Sequence, residues 1–207
     1  EAAELAERAG DSARALTHIL YVLDEDESPI QDVYHALVLS DEVGDADIRS
    51  ELEQQLAKRV DVFASHIETL EGDSRSRAFS WLGRIYGKRS EEEASIEAHR
   101  SALKSAEKSL PAASVERLLE VFGEQDNVRG LIALRELQAT YSEDDETKRD
   151  LLYMAAVLYR DRLLDPDKAL EQFGEVLALD DSFCEAQRDY GEILFDDGRF
   201  SEAVDWL

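Results

Sequence analysis

Apolar residues recur three or four positions apart along nearly the whole chain, as in Leu16, Ile19 and Leu23 near its start. This spacing places them on one face of an α-helix. The periodicity predicts helices at 2–9, 11–25, 29–42, 46–70, 74–88, 91–109, 112–124, 126–141, 147–163, 167–179, 183–196 and 199–207.

The predicted helices are separated by short turns. The chain has only three prolines and ten glycines, and Pro29, Pro111 and Pro166 each stand where a helix is predicted to begin, the position that proline tolerates best. Carboxylates cluster at 24–27, 91–93 and 143–146, at turns and helix starts. Negative charge favours the amino-terminal end of a helix dipole, so these clusters have a structural explanation.

The chain also repeats itself. Ala169-Leu170 is followed by Ala203-Val204, and Gly10-Asp11 by Gly44-Asp45, each pair 34 residues apart. A fixed period of 20–50 residues indicates an array of stacked supersecondary units. Each unit buries its apolar face only against its neighbours.

The clearest repeat reads Phe79-x-x-Leu82-Gly83-x-x-Tyr86, with Ala94 and Ala98 in the following helix. Related patterns cover 152–159, whose second helix (Ala169 to Val176) is displaced by one inserted residue, and 187–194. These spacings resemble the tetratricopeptide repeat. Glycine in a helix interior costs about 1 kcal/mol, so we expect the small residues of these patterns to lie where two helices approach closely. They are Gly83, Ala156 and Gly191.

The resemblance implies an all-α fold, a right-handed α-solenoid of stacked antiparallel helix pairs. It predicts one tetratricopeptide-like array over 1–207, with about five to six helix pairs. Because the pattern stops within an unfinished helix, we expect the chain to be a fragment of a longer protein. The segment between 29 and 75 fits the repeat least well, and its register stays open.

The net charge of the chain limits which kinds of partner it can bind. With 48 acidic and 23 basic residues the net charge is −25, which disfavours nucleic acid and anionic membranes as partners. A basic partner protein and a merely solvated acidic coat are both compatible with it. No segment reaches the roughly 20 apolar residues of a membrane span. The preference for Arg over Lys suits a GC-rich or salt-adapted bacterium. Cytoplasmic and periplasmic locations both fit the sequence.

Residues that could carry chemistry are few. Cys184 is the one cysteine, which excludes an intrachain disulfide, and we expect it to be a small core residue. The four histidines lack metal-ligand spacing, and we expect them to be partly exposed structural residues. The segment 41–47 only faintly suggests a calcium loop. We expect no catalytic residue, no metal site and no cofactor.

The resemblance also implies where a partner would bind. Tetratricopeptide stacks present the first helix of each pair on a concave face, which usually binds peptides or helices. The corresponding exposed positions are Arg77, Ser80, Arg84 and Lys88, then Glu116 and Glu120, then Tyr153, Val157 and Arg160, then Arg188, Glu192 and Phe195. Ordinary solvated helix faces are the alternative. Some family members bind the C-terminal carboxylate of chaperone tails with a set of Lys and Asn residues. This chain does not match that set, because Arg84 stands where it has Asn.

The sequence therefore predicts a non-catalytic protein-interaction scaffold that binds a partner peptide or helix. Two alternatives stay open. One is a structural spacer that self-associates through its open terminal repeats. The other is a regulatory region of a larger protein.

Overall fold

The computed structural model describes residues 2–23 and 28–206, and within these ranges every regular element is helical. The carboxylate cluster at 24–27 and the last residue, Leu207, lie outside the described residues. The helices are α1 (Ala2–Arg8), α2 (Ser12–Leu20), α3 (Ile30–Val43), α4 (Ala46–Lys58), α5 (Val60–Ile67), α6 (Gly72–Lys88), α7 (Glu92–Ser105), α8 (Ala112–Glu124), α9 (Val128–Tyr141), α10 (Asp145–Leu158), α11 (Pro166–Leu179), α12 (Cys184–Asp196) and α13 (Phe200–Ala203).

The chain divides into two compact units, Glu1–Ser114 (unit 1) and Val115–Leu207 (unit 2). The core of unit 1 is built from large side chains on α3 to α6, among them Leu37, Phe63 and Ile85. The core of unit 2 centres on α10 to α12, where Ala156, Phe173 and Ala186 are fully buried. The single continuous array inferred from the repeat pattern stays a prediction.

Close packing of α6 on α7 explains the glycine of the clearest repeat. A Cβ atom at Gly83 would lie 2.7 Å from Nε2 of His99 on α7, a separation that side chains do not tolerate. Ser95 Oγ donates a hydrogen bond to the carbonyl oxygen of Gly83 at 2.8 Å. The predicted close helix approach at Gly83 is confirmed.

The long helix predicted at 46–70 is wrong. The chain forms two helices that break at Arg59, whose backbone leaves the helical region with φ −122° and ψ 35°. The Arg59 guanidinium donates to the carbonyl oxygen of Ser28 at 2.7 Å. The apolar stripe nevertheless continues across the break through Leu56, Val60 and Phe63, all buried. Periodicity alone therefore could not reveal the interruption.

The helix predicted at 147–163 ends in a different geometry. Residues Tyr159–Leu163 form a π-helical turn that closes with Leu164 in the left-handed region, at φ +51°. The N–H of Asp165 returns to the carbonyl oxygen of Tyr159 at 3.0 Å. This repeat carries one inserted residue between its two helices, and a π-helical turn accommodates one extra residue within a helix.

Three further helices end earlier than predicted. The helix predicted at 91–109 stops at Ser105, because Asp73 Oδ1 accepts the N–H groups of Glu107 and Lys108 at 2.9 and 3.1 Å and holds that segment outside the helix. The helices predicted at 11–25 and 199–207 are limited to Ser12–Leu20 and Phe200–Ala203, with turns after each. The three prolines do lie at helix starts: Pro29 caps α3, Pro111 precedes α8 and Pro166 opens α11.

Candidate functional site

A groove of about 330 Å³ lies in unit 1 along α6. Helix α6 contributes Arg77, Ser80, Trp81 and Arg84, three of which are positions assigned to a partner-binding face from the sequence. The opposite wall is formed by the segment that leads into α8 and by the start of that helix. Its residues are Ser109, Pro111, Ala112 and Ala113.

The carboxylates that border this groove already have partners. Asp73 accepts two backbone N–H groups, and these hydrogen bonds lower the pKa of its carboxyl group. Asp41 pairs with Arg49 at 3.0 Å. Arg77, in contrast, is half exposed, and its ion pair with Glu42 spans 3.9 Å. Arg77 is therefore the groove cation that its neighbours neutralise least.

Arg84 and Lys88 are not free members of a basic stripe, as the sequence suggested. Both pair with Glu53 of α4, whose side chain is only 3% exposed. Arg84 Nη2 lies 3.0 Å from Glu53 Oε1, and its guanidinium carbon lies 4.3 Å from the centre of the Trp81 ring. A buried carboxylate is tolerated only when it is paired. The two cations thus stabilise the Glu53 charge.

Ser80 is buried rather than exposed, which corrects its assignment to the binding face. Its hydroxyl accepts a hydrogen bond from Ser114 Oγ at 2.9 Å, and the same Ser114 Oγ lies 2.9 Å from Nδ1 of His99. His99 is 2% exposed, so the prediction of partly exposed histidines is wrong at this position. These three side chains form a buried polar contact that links α6, α7 and the start of α8.

Unit 2 brings three of the other predicted residues to one buried carboxylate. Asp189 of α12, 2% exposed, accepts a hydrogen bond from the Tyr153 hydroxyl at 2.9 Å. It pairs with Arg160 at 2.9 Å and with Arg188 at 3.1 Å. Burial, together with the hydrogen bond to Asp189, raises the pKa of Tyr153 to about 12. This cluster joins α10, the π-helical turn and α12, and these residues stabilise the unit.

The remaining predicted positions in unit 2 do not join that cluster. Val157 is half-buried against the core. Glu116 and Glu120 are exposed on α8, and Glu120 pairs with Arg117 at 2.6 Å. Glu192 and Phe195 are exposed on α12.

Sequence reasoning missed the two buried carboxylates, although a signal was present. Asp189 occupies a position of the apolar period of α12, between Ala186 and Ile193. Glu53 stands beside Leu52 and Leu56 on the buried side of α4. An acidic residue in an apolar stripe needs a buried cation, and the predicted cations supply it.

The other candidate sites have structural roles. In the segment 41–47, Gly44 ends α3 in the left-handed region and Asp45 caps α4 by accepting the N–H of Ile48 at 3.1 Å. Cys184 is exposed at the start of α12, so its prediction as a core residue is wrong. Among residues 2–23 and 28–206, no cluster of three or more His, Cys, Asp or Glu side chains could hold a metal ion. In the same ranges no helix is both long and apolar enough to cross a membrane.

These helices and their packing define an all-α helical-repeat protein with a tetratricopeptide-like fold. Among solved structures, the C-terminal part of a TPR repeat-containing protein from Cytophaga hutchinsonii matches 99% of this chain and 74% of its own length, with a TM-score of 0.52 and 14% sequence identity. A structure of MamA, 17% identical, matches the whole chain and 90% of its own length, but its TM-score of 0.32 is too low to bear on the fold. No protein-family model matches the chain. The comparison with curated protein sequences likewise gives no significant match.

Proposed function

We propose that this chain is a non-catalytic protein-interaction module that binds an extended acidic segment of a partner protein in the groove along α6. The observation that carries the proposal is the half-exposed Arg77 guanidinium in this groove, whose ion pair with Glu42 spans 3.9 Å. Helical-repeat folds use extended surfaces of this kind for binding.

The charge of the groove favours an acidic ligand. Although the chain carries −25 overall, Asp41 and Asp73 are already engaged with Arg49 and with backbone N–H groups. The Arg77 guanidinium has only a long ion pair. A partner carboxylate beside Arg77 would form a charge-assisted hydrogen bond. The apolar surface of Pro111 and Ala112 would contact the neighbouring small side chains of the partner.

The proposal is tested by selecting random ten-residue peptides for binding to the purified chain. Acidic residues should be enriched in the selected peptides. Binding is then measured by fluorescence anisotropy for the wild type and for Arg77→Glu. Because the substitution reverses the charge facing the ligand, we expect affinity to fall by roughly tenfold or more. Arg77 is exposed, so the folded state should persist, which circular dichroism verifies.

Arg14→Glu is the matched control. Arg14 is exposed on α2, away from the groove, and its substitution changes the net charge by the same amount. It should leave peptide affinity close to that of the wild type. Selected peptides without acidic enrichment, or equal losses of affinity in the two variants, would contradict the proposal.

A second candidate function is self-association through unit 2. Phe195 and Phe200 are 54% and 57% exposed and contact each other edge to face, with ring centres 5.1 Å apart. Val204, beside them in sequence, is 75% exposed. Clustered exposed aromatic side chains are typical of interaction surfaces.

Sedimentation velocity at low and high salt tests this candidate. Charge repulsion between copies weakens as salt screens it, so an association driven by the aromatic pair should strengthen with salt. The double substitution Phe195→Ser with Phe200→Ser should abolish it. A chain that stays monomeric at every salt concentration rules this candidate out.

A further inference from the structure

The carboxylates of Glu42 and Asp73 lie beside Arg77, in space or along α6, and other donors of unit 1 hold both of them. Glu42 Oε1 is 3.9 Å from Arg77 Nη1, a long ion pair, while Glu42 Oε2 accepts a hydrogen bond from the Ser12 hydroxyl at 3.0 Å. Asp73 stands one helical turn before Arg77 on α6, and both residues line the groove. Each carboxylate therefore has a closer partner than the cation beside it.

Asp73 and Arg77 have the spacing of a helical ion pair but do not form one. Side chains four residues apart on a helix have Cβ atoms roughly 5–6 Å apart, and an acidic residue that precedes a basic one at this spacing stabilises a helix. Here Asp73 Oδ1 instead accepts the N–H groups of Glu107 and Lys108 at 2.9 and 3.1 Å. Among the residues that the structure describes, Arg77 pairs with Glu42 alone. The Asp73 carboxylate is thus turned towards the segment 106–111 and not along its own helix.

We infer that the segment 106–111 is a positioning element of the groove: its N–H groups hold the Asp73 carboxylate away from Arg77 and so keep that guanidinium available to a carboxylate of the partner. The Ser12 hydroxyl acts in the same way on the α3 side by holding Glu42. A carboxylate released from either donor would pair with Arg77 and compete with an acidic ligand for the same cation. The benefit to ligand binding rests on the function proposed for the groove, whereas the placement of Asp73 does not.

A purely structural role of the segment leads to a different expectation. Ser109 and Pro111 also form the groove wall opposite α6, so a displaced segment could weaken binding through loss of that wall alone. Removing the charge of Asp73 would then have the same effect on ligand affinity whether the segment is displaced or in place. A segment that acts through Asp73 makes the two substitutions interdependent, which a double-mutant cycle measures.

Glu107→Pro is the variant that releases Asp73, because proline lacks the N–H that makes the shorter of the two hydrogen bonds. Ala106 already has φ −69° and ψ 137°, the extended conformation that a residue before proline adopts. The Lys108 N–H remains, so the release is partial. Glu107→Ala is the matched control, since it removes the same side chain and keeps the N–H. Circular dichroism verifies that both variants fold.

The first readout is the Nε–Hε NMR signal of Arg77 in the free chain, which responds to a carboxylate that engages the guanidinium. We expect this signal to shift in Glu107→Pro relative to Glu107→Ala. The shift should disappear when Asp73→Asn is added, because asparagine has no charge with which to pair.

Ser12→Ala applies the same test on the α3 side without touching the segment. Loss of the hydroxyl donor should let Glu42 approach Arg77 and shift the same NMR signal. Ser50→Ala, at an exposed serine of α4, is the matched control and should leave the signal unchanged. This pair of variants tests the inference even where the proline variant is unstable.

The second readout is the affinity for a blocked ten-residue peptide of alternating alanine and aspartate, measured by calorimetry. Glu107→Pro should weaken its binding roughly twofold relative to Glu107→Ala, the strength of an ion pair at this helical spacing. Asp73→Asn should increase affinity more in the Glu107→Pro background than in the wild type. A version of the peptide with asparagine in place of aspartate should show neither effect.

Two results would overturn the inference: an Arg77 signal that is the same in Glu107→Pro and Glu107→Ala and also unmoved in Ser12→Ala, or a shift in Glu107→Pro that persists after Asp73→Asn is added. Failure of the wild type to bind the acidic peptide would contradict the function proposed for the groove, and the NMR signal would still decide the inference. An acidic peptide that binds through Arg77 while the signal stays unmoved in these variants would overturn the inference alone.

Discussion

Arg160 and Asp189 form an ion pair between two helical elements of unit 2 that α11 separates in the chain, with Arg160 Nη1 2.9 Å from Asp189 Oδ2. Arg160 lies in the π-helical turn that follows α10, whereas Asp189 is buried on α12. Tyr153 donates to the same carboxylate oxygen. The pairing therefore selects one relative placement of the two helices, because a shift would leave a buried charge uncompensated.

Replacing Asp189 should destabilise unit 2. In Asp189→Asn the side chain keeps its size, but Arg160 and Arg188 lose their shared counter-charge. Removing one partner of a buried ion pair lowers the free energy of unfolding by about 3–5 kcal/mol. Because both arginines are partly exposed, we expect a smaller loss for this variant, about 2–3 kcal/mol. Urea unfolding measures this change. Asp161→Asn is the control: Asp161 also contacts Arg160, at 2.6 Å, but is exposed. Equal losses of stability would contradict the assignment.

Adding a methyl group at Gly83 should be destabilising despite the better helix propensity of alanine. The new Cβ would lie within 2.8 Å of three atoms of the His99 ring, and that ring is buried and hydrogen-bonded to Ser114. Overpacking of this kind costs about 1–3 kcal/mol. Gly174→Ala in α11, where nothing lies within 4 Å of the new Cβ, should instead stabilise by up to about 1 kcal/mol. Thermal unfolding of both variants should give shifts of opposite sign.

Stability should decline in strongly alkaline solution. Burial raises the pKa of Tyr34 and of Tyr153 from 10.0 to about 12. Because the folded-state pKa of each tyrosine lies above its unfolded value, the neutral form stabilises the fold, and this contribution is fully present below pH 10. That contribution is then lost as the pH rises through 12. Melting temperatures between pH 9 and 12 should fall, and Tyr153→Phe should make the fall shallower. Absorbance at 295 nm should show Tyr34 and Tyr153 ionising as the pH approaches 12. Ionisation of these two tyrosines near pH 10 would refute this account.

Asp73 should control the mobility of the segment before α8. Its carboxylate accepts the N–H groups of Glu107 and Lys108. In Asp73→Ala these amides lose their acceptor, so we expect faster hydrogen exchange at both positions, with little change in the core of α6. Ser74→Ala is the control, because Ser74 is the next residue in the chain and its side chain is exposed. Unchanged exchange at Glu107 and Lys108 would show that other contacts hold the segment.

Much of the fold could be predicted from the sequence, because helices here are defined by apolar stripes and by their starts. Pro29 and Pro166 marked two starts correctly, and the glycine at 83 marked a close helix contact. The break at Arg59 could not be predicted, since the stripe passes through it unchanged. Likewise, the early end of α7 depends on Asp73, more than 30 residues away in sequence.

The candidate site was less predictable, because repeat register assigns a position to a helix face but does not identify its neighbours. Arg77 and Arg84 do line one groove. Yet Arg84 and Arg160 are paired with carboxylates from other helices, and Ser80 is covered by α8. Which cations stay available depends on where Glu53 and Asp189 are buried, and that is a property of tertiary packing.

The π-helical turn at Tyr159–Leu163 has a consequence for how such a chain varies in length. The extra residue is absorbed in one widened turn, while Ala169 and Phe173 of the next helix remain fully buried. One inserted residue at this point thus widens a single helical turn but leaves the buried residues of α11 in place. Deleting one residue from the turn would convert it towards an ordinary α-helical ending, and the variant would keep its packing only if Arg160 still reached Asp189.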